Sequence, residues 1–158
     1  ICTACEVGES AKERLGPQYA TLMQTTHEMK RWIVAHSSVP MAYDESRSSL
    51  IWFVPKESMQ AEHNSALGYK VQARHIVRFG VQVTLLPDTW EFTDQGMSSL
   101  IHELVHELQI QNGLDEHMCV TDLEVMAYRL QYLWESEHGR FSGFIQPPRK
   151  DLYKIHGC

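Results

Sequence analysis

His102, Glu103 and His106 stand in the order His-Glu-x-x-His, inside the string His-Glu-Leu-Val-His-Glu-Leu-Gln that runs from 102 to 109. On an α-helix, positions i and i+4 lie one above the other on the same face. Two imidazoles so placed can reach one metal ion. Zinc accepts such nitrogen ligands and keeps a position open for water in catalytic sites. Glu103 sits beside that position, where a carboxylate can take a proton from the water. The plain alternative is a core helix carrying two hydrogen-bonded histidines.

A catalytic zinc site usually has a third protein ligand. Glu124 is the best candidate, within the segment Asp122-Leu-Glu-Val-Met-Ala-Tyr-Arg-Leu-Gln131. Asp115 and His117 are the alternatives. The extended pattern with a third histidine fails, because Gln109 and Asn112 occupy its glycine and histidine places. Glu107 and Gln109 also lie close to the motif, but their positions do not decide a role.

The motif needs a helix, and the residues around it supply one. Met97, Leu100, Ile101, Leu104, Val105 and Leu108 recur at helical spacing. Thr93 or Asp94 can cap the start and Gly113 can end it. A second long helix follows, with Leu123, Met126, Ala127, Leu130 and Leu133 on one stripe. A short turn near Asn112–Asp115 lets the two run antiparallel, so that Glu124 can face the histidine pair and Ala127 allows close approach.

With these residues the chain resembles a gluzincin, the thermolysin-like class of zinc metallopeptidases, and its size is similar to that of the minigluzincins. It also resembles small bacterial domains of unknown function that carry HELxHxxQ followed by an ExxA helix, here His102–Gln109 and Glu124–Ala127. The likeness covers roughly residues 76–134. It implies a small zincin-like domain, one zinc held by His102, His106 and Glu124, and Glu103 as general base. Thr84–Trp90 resembles the strand that borders the substrate cleft in that class. Many gluzincins place an aspartate four residues after the ligand glutamate to orient a histidine; here that place is Tyr128. An oxyanion donor is also usual, and Tyr128, His138, Tyr153 and His156 are the candidates.

The 158 residues suffice for one domain with its own core, taken as 1–158. A formal net charge of −6 argues against nucleic acid as the main partner. No apolar run is long enough for a membrane span. The chain starts at Ile1, read as a processed or trimmed N-terminus. The cysteines at 2, 5, 119 and 158 fit disulfide stapling in an oxidising compartment, secreted or periplasmic. The favoured pairing joins Cys2 and Cys5 to Cys119 and Cys158, tying each terminus to the body. The Cys2-x-x-Cys5 spacing also suits a redox pair or half of a structural zinc site.

Elsewhere, Pro17 to about His36 reads as an amphipathic helix. Ser48 to Val54 reads as a strand and Pro55 to about Leu67 as a short helix broken by Gly68. Gln72 to Phe79 and Val81 to Leu86 read as a hairpin around Gly80, and the tail from Gly139 to Cys158 as irregular. One helix, a short mixed sheet, then two metal-bearing helices make an α+β arrangement. Val81 to Leu86 is the strand expected to pair with an extended peptide. The expected function is therefore a zinc metallopeptidase acting on peptide or protein. A zinc-binding module without activity and a zinc hydrolase of a non-peptide amide are the competing readings.

Overall fold

Apolar residues recurring every three or four positions define the long helices. The structure, a computed structural model, describes residues 8–58, 74–78, 81–144 and 146–156. Strand β1 (Glu9–Ser10) leads into helix α1 (Ala11–Leu15), with Ser10 capping the helix by accepting from the Glu13 amide. Helix α2 (Gln18–His36) buries Leu22, Thr26, Met29, Lys30 and Ile33, a single stripe along its length. Strands β2 (Leu50–Val54), β3 (Arg74–Arg78) and β4 (Val81–Pro87) follow. Then come the motif helix α3 (Asp94–Gln111), a 3-10 turn at Leu114–Glu116, helix α4 (Val120–His138) and helix α5 (Arg149–His156).

The sheet order is β1-β2-β4-β3. β2 and β4 are parallel, with Ile51 opposite Thr84 and Phe53 opposite Leu86. β3 and β4 form the expected antiparallel pair, with Ile76 opposite Val83. Ile51, Phe53 and Leu86 share one face of the sheet and join the core there. Against them pack Leu100, Ile101, Leu104, Val105 and Leu108 of α3, with Leu22, Met29 and Ile33 of α2 beside them. Met126, Ala127, Leu130 and Trp134 of α4 complete the cluster. Burying each large apolar side chain stabilises the fold by about 1.5–3 kcal/mol, and α3 is buried on nearly every side.

Local chemistry sets the ends of α3. Thr93 caps it by accepting from the Gly96 amide at 3.1 Å. Gly96 is required by close packing, since a Cβ there would lie 2.0 Å from the Glu91 carbonyl oxygen. At the far end Gly113 takes a left-handed conformation (φ 71°), as expected for a residue closing a helix. The buried Lys30 of α2 pairs with the buried Glu107 of α3. Glu107 also accepts from the Ser49 amide at 2.6 Å, and Gln82 of β4 donates to its backbone carbonyl at 3.1 Å. One residue beside His106 thus ties α3 to α2, to the lead-in of β2 and to β4.

Two expectations are corrected. Val81 to Leu86, expected to offer an edge to a peptide, lies inside the sheet, with β2 and β3 occupying its two edges. The tail, expected to be irregular, carries helix α5. That helix begins just after Pro148, whose carbonyl accepts from the amides of Asp151 and Leu152, and the buried Leu152 anchors it. The expected helix from Pro55 to Leu67 falls mostly outside the described residues. No helix among the described residues is long and apolar enough to cross a membrane.

Candidate metal centre

Helices α3 and α4 run antiparallel, and their shared face is polar at regular intervals. Ser98 donates to Glu135 at 2.6 Å, His102 Nδ1 meets Gln131 Oε1 at 3.0 Å, and Gln109 Nε2 donates to the Leu123 carbonyl at 3.0 Å. As residue numbers rise on α3 they fall on α4. In the middle of this stripe three donors converge. His106 Nε2 lies 2.8 Å from Glu124 Oε1, His102 Nε2 lies 3.4 Å from Glu124 Oε2, and the two Nε2 atoms lie 3.2 Å apart. Among the described residues this is the one group of histidine, cysteine and acidic side chains close enough to share an ion.

Those separations match a metal of zinc's size. Ligands about 2.0–2.1 Å from a tetrahedral zinc stand about 3.3–3.4 Å from one another, close to the separations seen. The far nitrogens are held as well. His106 Nδ1 donates to Gln109 Oε1 at 2.8 Å, and His102 Nδ1 donates to Gln131 Oε1 at 3.0 Å. With the proton on each Nδ1, each Nε2 turns its lone pair toward the centre. The residues present therefore fit zinc by donor type, spacing and ring orientation.

Without a metal, the charges settle among themselves. Burial opposes a charge on His106, but the Glu124 carboxylate beside it, aided by Glu103 and Gln109, outweighs burial and pushes the imidazole up to about 9. Burial also opposes charge on Glu124. There the His106 cation and hydrogen bonds from both histidines win, and hold its carboxyl well below the usual range. Glu103 is buried and close enough for its charge to act on His106.

The structure brings together His102, His106 and Glu124, with Glu103 alongside. It does not bring in the alternative ligands, since Asp115 and His117 are exposed beyond the end of α3. The ring of Tyr128 lies against His102, with centroids 4.5 Å apart, but the His102 Nδ1 partner is Gln131, one helical turn further along α4. Of the other candidate oxyanion donors, His138 stacks on Trp134 with its Nδ1 on the Trp134 carbonyl, and Tyr153 is exposed on α5. Cys119 is disulfide-bonded, and its partner lies outside the described residues, as do Cys2, Cys5 and Cys158. Sequence reading missed Gln131. The available signal was its position seven residues after Glu124, on the same helix face.

A family model described as a domain of unknown function, DUF6647, matches residues 19–144. The chain belongs to this family. The match spans α2, most of the described sheet, α3 and α4, so the whole three-donor cluster lies within it. No curated protein and no solved structure matches the chain.

Proposed function

We propose that this chain is a zinc-dependent metallopeptidase of gluzincin type, with His102, His106 and Glu124 as ligands and Glu103 as general base. The observation that carries the reading is the convergence of three donors at tetrahedral spacing with Glu103 next in sequence to the first of them. Zinc in such a site supplies a water acidified to about neutral pKa and a Lewis acid for a carbonyl. The protein's own part is positional and acid–base. His102 and His106 present their Nε2 lone pairs, and Glu124 adds one negative charge to the donor set. Glu103 takes the proton of the attacking water on its carboxylate and returns it to the leaving nitrogen.

The strand that an extended peptide would meet is β3, which ends the described sheet and packs beside α3. The Cys119 disulfide supports work in an oxidising compartment, secreted or periplasmic.

The test is cleavage of a peptide library by the zinc-loaded protein and by Glu103→Gln. The variant should keep its zinc and lose on the order of 10²–10⁴-fold in turnover. Cleavage unaffected by the substitution would refute the assignment of Glu103. Zinc binding without cleavage of any peptide would favour a binding module. Hydrolysis confined to small amides would move the substrate class.

A further inference from the structure

The side chains that orient the two histidines are neutral amides, and they hold different things. Gln109 is almost fully buried and is committed at both ends. Its Nε2 donates to the Leu123 carbonyl at 3.0 Å and its Oε1 accepts from His106 Nδ1 at 2.8 Å. Leu123 immediately precedes Glu124. One amide therefore links the ring of a ligand on α3 to the peptide beside a ligand on α4. The donation to Leu123 also fixes which way the amide points, so that only its oxygen can face His106. Gln131, also buried, presents its Oε1 to His102 Nδ1 from the opposite helix at 3.0 Å. Among the described residues, no carboxylate is hydrogen-bonded to either Nδ1.

We propose that Gln109 and Gln131 are the positioning residues of this centre. Gln131 sets the ring and donor strength of His102, and Gln109 sets the ring of His106 together with the register between the ligand-bearing helices. The proposal rests on the zinc reading above and adds to it a distinction between two residues of the same type. A carboxylate at 131 can still accept from His102 Nδ1 and makes the imidazole a better donor. A carboxylate at 109 can accept from His106, but it has no N–H for Leu123 and sets an oxygen against the carbonyl oxygen there. The same substitution, glutamine to glutamate, should act in opposite directions at the two sites.

The experiment measures zinc affinity by competition with a chromogenic chelator for the wild type and for Gln131→Met, Gln131→Glu, Gln109→Met and Gln109→Glu. The visible absorption of the cobalt-substituted proteins reports ligand geometry, and melting of the metal-free proteins reports folding. Gln131→Met keeps the bulk and loses the acceptor, and should weaken zinc binding on the order of 10–100-fold. Gln131→Glu should bind at least as tightly as wild type. Gln109→Glu and Gln109→Met should both bind more weakly, with a changed cobalt spectrum. If Gln109→Met does not fold, Gln109→Glu and the Gln131 pair carry the test. A Gln131→Glu protein that binds as weakly as Gln131→Met would overturn the role of Gln131. A Gln109→Glu protein with wild-type affinity and spectrum would overturn that of Gln109. A wild type that takes up no zinc would instead overturn the zinc reading itself, before any variant is compared.

Discussion

Zinc and a proton should compete for Nε2 of His106, and the structure sets the size of the competition. In the metal-free protein the Glu124 carboxylate, 2.8 Å away, keeps His106 protonated up to about pH 9. Zinc binding must displace that proton. At pH 7 the imidazole lies about two units below its midpoint, which weakens apparent zinc affinity on the order of 100-fold. Affinity should rise about tenfold per pH unit from 7 to 9 and then level off. Chelator competition at several pH values gives the slope. Calorimetry in two buffers of different ionisation enthalpy gives the proton released, close to one per zinc at pH 7. In Glu124→Gln the main charge that raises His106 is gone, so the slope between pH 7 and 9 should become shallower even as overall affinity drops. Wild-type affinity that is the same at pH 7 and pH 9 would refute the coupling of His106 to Glu124.

Other expectations follow from the same structure. The metal-free fold should weaken as pH rises. His106 has a folded pKa of about 9 against about 6.5 unfolded. Its contribution, at most about 3 kcal/mol, is complete below pH 6.5 and lost as pH passes through 9; denaturant melts with chelator present read it, and a flat profile from pH 7 to 10 would count against it. Lys30→Met leaves the buried Glu107 carboxylate without its cation and should cost about 3–5 kcal/mol, part of it recovered in Lys30→Met/Glu107→Gln, which removes the charge and keeps an acceptor for the Ser49 amide. A cost below about 1 kcal/mol in the single variant would mean that the pair is not buried as described. Gly96→Ala forces a methyl group into the Glu91 carbonyl and should destabilise by about 3 kcal/mol or more, seen as a lowered melting temperature.

The site was more legible in the sequence than its supports. The histidine pair could be placed because α3 carries apolar residues on every turn, and Glu124 because Leu123, Met126, Ala127 and Leu130 mark a second helix facing the first. The three main strands were legible from their β-branched and aromatic runs. Which strand lies at the edge was not, because that depends on pairing between β2 and β4 across a long stretch of chain. Helix α5 was hidden by the glycines and prolines before it, although Pro147-Pro148 is itself a plausible helix entry. Lys30 and Gln131 carry no local sequence signal of burial. Both are buried because a partner on α3, Glu107 for one and His102 for the other, satisfies them, and a partner in another element leaves no local pattern.

The central claim is that His102, His106 and Glu124 hold one zinc. Elemental analysis of the purified protein after zinc loading and removal of excess, set beside His106→Ala and Glu124→Ala, tests it most directly. The account predicts one zinc per chain in the wild type and a loss of most of it in both variants. A wild type without zinc, or variants that retain it in full, would contradict the account.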